Sequence, residues 1–305
     1  MSSPLFSFSS ALPMSASMKT VSAAGRALRA GPFVLALDRP LVMGIVNVTP
    51  DSFSDGGRFF DVRHAVARAE QLVAEGADLI DVGGESTRPG AADVSWQDEL
   101  ARVAPIVDAL ASRVPVSVDT SKPEVMRSVL RMGAAMINDV RALQAPGALQ
   151  VVAESDAAVC LMHMQGLPRT MQLAPTYGDV VAEVSGFLRD RAMAAEAAGI
   201  ARDRIVLDPG FGFGKSPLHN LRLLRELFEI SRMGWPVLAG LSRKSFLGRI
   251  VDRDVADRQS ASVASALLAV ERGATLVRVH DVAPTRDALE VWRAVNDKEY
   301  TFDER

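Results

Sequence analysis

Polar side chains recur at one kind of place in this sequence, directly after short runs of Val, Ile, Leu and Met. Asn47 follows VMGIV, Asp81 lies in LIDV with Glu85, Thr87 and Arg88 close behind, and Asp119 ends VSVD. Asn138 and Asp139 end MIND, His163 follows VCLM, and Asp208 ends IVLD. Ser242, Arg243 and Lys244 follow VLAGL, and Arg278 and His280 stand in LVRVH. One such group means little, because Asp and Asn are common turn residues, and a turn or cap is the expected role of Asp139 and Asp281. A full series is more than turn chemistry supplies. Asp119, Asn138, Asp208 and Lys244 offer donors and acceptors of mixed type, which suit a flat polar heterocycle with amide and amino edges. Carboxylates can take charge-assisted hydrogen bonds from a guanidine-like ring edge. Thr87, Arg88, Arg278 and His280 suit an anion, above all a phosphate. The two kinds together point to a phosphorylated heterocycle.

The elements that must carry these groups read as repeated βα units. Helical segments end in Gly76, Gly133, Gly199, Gly234 and Gly273, each followed directly by a strand-like run. Gly supplies the left-handed turn other residues resist. Val66, Ala69, Leu72 and Val73 share a helix face, as do Leu100, Val103, Val107 and Leu110, and Leu289, Trp292 and Val295. SKPEV opens another helix, with Ser121 as its cap and Pro123 and Glu124 in its first turn. Strands are expected around Val42–Val46, Leu79–Val82, Val116–Asp119, Met136–Asn138, Ala158–Met162, Ile205–Asp208, Val237–Leu241 and Leu276–Val279. Their continuous apolar character is that of a parallel sheet covered by helices. Eight units over roughly 250 residues match a single (β/α)8 barrel, whose active site lies at the C-terminal ends of the strands. A doubly wound sheet is the alternative, but no Gly-rich dinucleotide turn follows the first strand. PFVLALDRP (32–40) is expected to form a short hairpin under the barrel. Residues 1–30, rich in Ser and Ala and free of acids, read as a disordered extension, residues 31–299 as the catalytic domain and 300–305 as a tail.

Composition limits the function classes. The chain has 305 residues, 48% hydrophobic and 23% charged, and a net charge of −3. That excludes a disordered chain and a coiled coil and speaks against broad nucleic-acid binding. With a single cysteine, Cys160, no intrachain disulfide forms and a thiolate zinc site is close to excluded. No apolar run is long enough to span a bilayer. These features read as a soluble, cytoplasmic protein.

The same residues carry a resemblance. GIVNVTPDSFSDGG (44–57), IDVGGESTRPG (80–90), SVDTSKP (117–123), MHMQGLPRTMQ (162–172), LDPGFGFGK (207–215), LSRKSFLG (241–248) and VRVHDV (277–282) resemble the dihydropteroate synthases. The resemblance implies condensation of p-aminobenzoate with 6-hydroxymethyl-7,8-dihydropterin pyrophosphate, by an SN1-like route, to give 7,8-dihydropteroate and pyrophosphate. It implies a pterin pocket at Asp119, Asn138, Asp208 and Lys244, with Met162, Phe213 and Gly240 around the ring. It implies a pyrophosphate site at Asn47, Arg88, Arg278 and His280, with Mg²⁺ at Asn47. It places p-aminobenzoate among Thr87, Pro89, Phe53, Lys244 and Ser245, under two loops at 49–60 and 86–95. It further implies a homodimer and inhibition by sulfonamides.

Other readings are weaker. A methyltetrahydrofolate-dependent methyltransferase has no use for Arg88, Arg278 and His280, and a noncatalytic pterin-binding module should have lost them. PGFGFGKS has the look of a phosphate-binding loop, but Pro209 occupies the position of its first Gly. Cys160 reads as core. His64 and His219 read as surface residues, and His163 as either a support for the site or a bystander.

Overall fold

The eight apolar runs become eight parallel strands in the computed structural model, which describes residues 26–48, 58–86, 93–166 and 170–301. A hairpin of β1 (Ala27–Ala30) and β2 (Phe33–Ala36) precedes β3 (Leu41–Asn47), β4 (Leu79–Gly83), β5 (Val116–Asp119), β6 (Met136–Asp139), β7 (Ala158–Met162), β8 (Ile205–Asp208), β9 (Leu238–Ala239) and β10 (Leu276–Val279). The helices are α1 (Arg58–Ala74), α2 (Trp96–Leu110), α3 (Pro123–Arg131), α4 (Ala148–Ala153), α5 (Val180–Ala197), α6 (Pro217–Arg225), α7 (Leu227–Ser231), α8 (Ser245–Val251), α9 (Gln259–Glu271) and α10 (Val282–Asn296). The sheet order is β8-β7-β6-β5-β4-β3-β10-β9, and a parallel bridge from Leu207 to Val237 joins its two ends. The sheet is therefore a barrel. The five glycines expected to end helices have φ between +89° and +98°.

Residues alternate strictly across the barrel wall, as strand geometry requires. Val42, Val46, Ile80, Val82, Val118, Ile137, Val159, Leu207 and Val277 pack outward with the helices. Leu41, Met43, Leu79, Met136, Ala158, Cys160, Val206, Leu238 and Leu276 form a second core inside the barrel. Leu28, Ala30 and Leu37 join that inner core and close its floor.

Several expectations shift. Residues 27–30 fall inside the segment read as a disordered extension, yet they are strand β1, with Leu28 and Ala30 fully buried. The folded domain thus begins before residue 31, and the hairpin uses 27–36, not 32–40. Expected outcome: truncation through residue 30 lowers the melting temperature, and Leu28→Ala alone costs about 2–4 kcal/mol, read by thermal and urea unfolding. Strand β9 covers Leu238–Ala239, shorter than Val237–Leu241; at its start the Val237 N–H goes to the Thr275 hydroxyl at 2.9 Å instead of the strand ladder. Ser121 does not cap α3; Lys122 is its cap residue, without a side-chain cap bond. His219 is half-buried, closes a capping box with Ser216 and meets Tyr177 edge-on at 5.0 Å, whereas His64 is exposed. Val295 is 80% exposed, so the buried face of α10 ends before it.

Candidate active site

The inward phase set by Met43, Leu79, Met136, Cys160, Val206 and Leu276, carried two residues on, reaches the polar ends of the strands. Asp81 continues Leu79, Asn138 continues Met136, Met162 continues Cys160, Asp208 continues Val206, and Arg278 continues Leu276. The same parity takes Asn47 from Met43 and sends Asp139 outward, where its carboxylate accepts from Arg141 N–H at 2.8 Å and Leu143 N–H at 2.7 Å. Asp139 is the expected turn residue. Asp281 is not a side-chain cap; it pairs with Arg243 at 2.6 Å.

Asp81 is the hub of the mouth. It is fully buried, and its Oδ2 accepts from Arg278 Nε at 2.6 Å and from Asn138 Nδ2 at 3.1 Å. Its Oδ1 accepts from the Ser117 hydroxyl at 2.6 Å. Arg278 reaches on to Asp119 Oδ2 at 3.2 Å. The guanidinium lies across β3, with both carboxylates inside the barrel. The neighbouring acids hold Arg278 charged despite burial. Burial lifts Asp119 to about 7, against the opposing pull of Arg278. Binding of a ligand that needs the Asp119 carboxylate therefore strengthens as pH rises through about 7 and fades below it. Calorimetric titration of a pterin between about pH 6 and 8 reads this; a flat affinity would show Asp119 ionised throughout.

Asp208 stands opposite, at the end of β8. It is buried, and Oδ1 accepts from Gly210 N–H at 2.7 Å. Burial raises its pKa, while Lys244, Lys215 and Arg278 oppose the rise. The Lys244 ammonium lies 4.1 Å from the centre of the Phe213 ring, a cation–π contact. Gly240 leaves open backbone here: a Cβ on it would stand 3.9 Å from Asp208 Oδ2 and 4.0 Å from Arg278 Cβ. Met162 is buried at the end of β7. The structure thus gathers Asp119, Asn138, Asp208, Lys244, Met162, Phe213 and Gly240 around one mouth.

His280 faces the same end from β10, and its Nδ1 lies 2.9 Å from the Ser242 hydroxyl. That hydroxyl accepts from the His280 backbone N–H at 3.2 Å. Burial, with Arg278 and Arg243 nearby, lowers His280 to about 3. It therefore meets an anion as a neutral hydrogen-bond donor, not as a cation. Ser245 is exposed and begins α8. Before it, Arg243 takes a left-handed backbone with φ +57°, held by Ser262 on its N–H at 2.9 Å and by Asp281 on its side chain. Phe53, Thr87, Arg88 and Pro89 lie outside the described residues.

The metal expectation rests on few donors. Among the described residues no group of three His, Cys, Asp or Glu side chains is placed to hold an ion. Asn47 Oδ1 and Asp119 Oδ2 both lie within 4.0 Å of where a Cβ on Gly83 would sit, so they flank open backbone. Mg²⁺ commonly keeps several waters and takes one or two protein oxygens with substrate phosphates. This sparse oxygen set fits that habit.

Two features escaped the sequence reading. Asp81 was visible as a strand-end acid, but its central position needed the parity argument. Lys215 ends the family-like segment LDPGFGFGK and stands in the false phosphate-loop motif, with no role assigned by either; it is 2% exposed and lies behind Asp208.

Comparisons with known proteins bear on the same residues. The pterin binding enzyme family matches residues 43–280. The dihydropteroate synthase of Haemophilus influenzae is 51% identical over 262 residues, 85% of this chain and 95% of that protein. The solved structure of Xanthomonas albilineans dihydropteroate synthase with 4-aminobenzoic acid superposes with a TM-score of 0.82 at 55% identity, covering 90% of this chain and 97% of that one. A Yersinia pestis dihydropteroate synthase in complex with a sulfonamide drug gives a TM-score of 0.84 at 48% identity, covering 88% and 98%.

Proposed function

The chain belongs to the dihydropteroate synthase family, and from that premise we propose that it joins p-aminobenzoate to 6-hydroxymethyl-7,8-dihydropterin pyrophosphate in folate biosynthesis. One observation carries the reading: a single barrel mouth holds half-buried Asp119 and buried Asn138 and Asp208 beside the cationic Arg278 and the neutral donor His280. The acids and the amide take the pterin's amino and ring N–H edge. Arg278, His280 and Asn47 take the pyrophosphate, joined by Arg88.

The carbon–oxygen bond to pyrophosphate breaks first, and its electron pair leaves with the oxygen. The cation left on the methylene is shared with the electron-rich ring. Asp119 and Asp208 stabilise it as fixed carboxylates in a site of low polarity, the kind of preorganised electrostatics that dominates many rate enhancements. The neutral arylamine nitrogen then bonds to the methylene and loses a proton to solvent, so no strong general base is needed. Arg278 rests on Asp119 before substrate arrives; pyrophosphate draws the guanidinium away and leaves Asp119 to the pterin. Asn47 would hold Mg²⁺ together with substrate phosphates, and the ion would supply further neutralisation of the leaving group. A methyltransferase has no use for this anion-binding pair.

Lys244 stands where the two substrates meet, and Ser245, Phe53, Thr87 and Pro89 complete the p-aminobenzoate pocket. The sulfonamide complex of the Y. pestis relative supports the same pocket as a drug site. Expected outcome: a p-aminobenzenesulfonamide competes with p-aminobenzoate and binds tightly only after pterin and pyrophosphate. Calorimetry with and without those ligands reads this; competition against the pterin substrate would place the drug in the other half of the mouth.

The chain works as a homodimer in the cytoplasm. Exposed Ile250, Val251, Val255 and Leu268 on and between α8 and α9 support a covered face there. Sedimentation analysis tests the dimer. No helix among the described residues is long and apolar enough to cross a membrane.

A further inference from the structure

The loop after β8 is folded around a buried lysine. Gly210, Gly212 and Gly214 have φ of +67°, +81° and +59°, and a Cβ on Gly210 would collide with the His163 carbonyl. Inside the coil, Lys215 Nζ lies 2.9 Å from the Gly210 carbonyl, 2.9 Å from the Phe213 carbonyl and 2.9 Å from His163 Nδ1. The His163 carbonyl is a fourth contact at 3.2 Å. Carbonyl oxygens only accept. A neutral amine has two N–H groups and an ammonium has three. Three carbonyl oxygens, two at 2.9 Å and one at 3.2 Å, therefore call for the ammonium, and beside an ammonium, which has no lone pair, His163 Nδ1 is bare with its ring proton on Nε2. Burial drags the lysine down toward about 7, while the charge of Asp208 pulls the other way. His163 is lowered to about 3 by burial and by Lys215, so it stays neutral.

Each partner of this ammonium is tied to the pterin side of the mouth. Gly210 gives its carbonyl to Lys215 and its N–H to Asp208 Oδ1. His163 gives its backbone N–H to the Asp208 carbonyl at 3.0 Å. Phe213 gives its carbonyl to Lys215, and its ring lies against Lys244. We propose that Lys215 is a positioning residue of the pterin site, whose ammonium gathers Gly210, Phe213 and His163 so that the Asp208 carboxylate and the Phe213 ring meet the pterin, and whose positive charge faces that carboxylate. The proposal rests on Asp208 and Phe213 being pterin contacts. It gives the lysine of the PGFGFGK segment a role that phosphate binding does not.

The test is Lys215→Met in the full chain. The charged groups around Asp208 are Lys215, Lys244 and Arg278, and the neutral Cys160 thiol borders it on β7. Removing one of three cations lets Asp208 take up a proton at higher pH. The KM for pterin pyrophosphate should rise roughly 10-fold or more with a smaller fall in kcat. The pH below which a pterin ligand is released should rise by about one unit. A structural role alone would weaken binding equally at every pH, and that result overturns the proposal. If Lys215→Met does not fold, nitrogen NMR of the wild-type protein decides. A three-proton ammonium at Lys215 with His163 protonated on Nε2 supports it; a neutral amine, or a proton on His163 Nδ1, overturns it. Should Asp208→Ala leave pterin binding unchanged, the assignment of the pocket fails. Should Asp208→Ala lose binding while Lys215→Met keeps both affinity and pH profile, only the role of Lys215 fails.

Discussion

Asp208→Ala is expected to abolish pterin binding as well as turnover. The carboxylate is buried at the end of β8, its Oδ1 fixed by Gly210 N–H, and three cations stand around it. A pterin presents an amino group and a ring N–H side by side, and a fixed carboxylate can take both. Losing a charge-assisted pair in a buried site costs roughly 2–5 kcal/mol, or about 30- to 5000-fold in affinity. The cations the carboxylate balanced are also left uncompensated, which puts the loss toward the upper end. Calorimetry with a pterin lacking pyrophosphate reads the effect without any catalytic step. Unchanged affinity would remove Asp208 from the pocket.

Arg278→Ala is expected to act twice. Its guanidinium holds fully buried Asp81 at 2.6 Å, and breaking a buried pair from one side costs about 3–5 kcal/mol, because a charge is stranded. It also faces the departing pyrophosphate, so turnover should fall by roughly 10²-fold or more. The two losses separate in the double variant Arg278→Ala with Asp81→Asn. Removing the stranded charge should recover most of the melting temperature and none of the turnover. A pterin without pyrophosphate should still bind to Arg278→Ala, but only at a higher pH than to the wild-type protein, because Arg278 no longer helps Asp119 to ionise. If the double variant regains activity along with stability, Arg278 is a strut for Asp81 and takes no part in leaving-group chemistry.

Much of this site could be read in the sequence, for a physical reason. Parallel strands covered by helices are largely apolar until they reach the mouth, so Asn47, Asn138 and Asp208 announce themselves as the first polar residues after their runs, and Asp119 and Arg278 as charged residues at or near the ends of theirs. The helix-ending glycines mark the other end of each unit, because few residues but Gly take φ near +90°. What escaped depends on contacts across the barrel. Arg278 and Asp81 are 197 residues apart, and their meeting follows only from β10 and β4 flanking β3 with side chains in one inward phase. Lys215 follows no apolar run; its place is set by a coil of three left-handed glycines that local pattern does not specify. Strand β1 was missed because Ala27–Ala30 has little strand propensity of its own and is held by Leu28 entering the barrel floor.

The central claim is tested most directly by pyrophosphate release from the purified full chain with each substrate alone and with both. The account predicts release only when p-aminobenzoate and the pterin pyrophosphate are present together, with one dihydropteroate formed for each pyrophosphate. Tight pterin binding with no pyrophosphate release under any combination would contradict it and leave a binding protein in place of an enzyme.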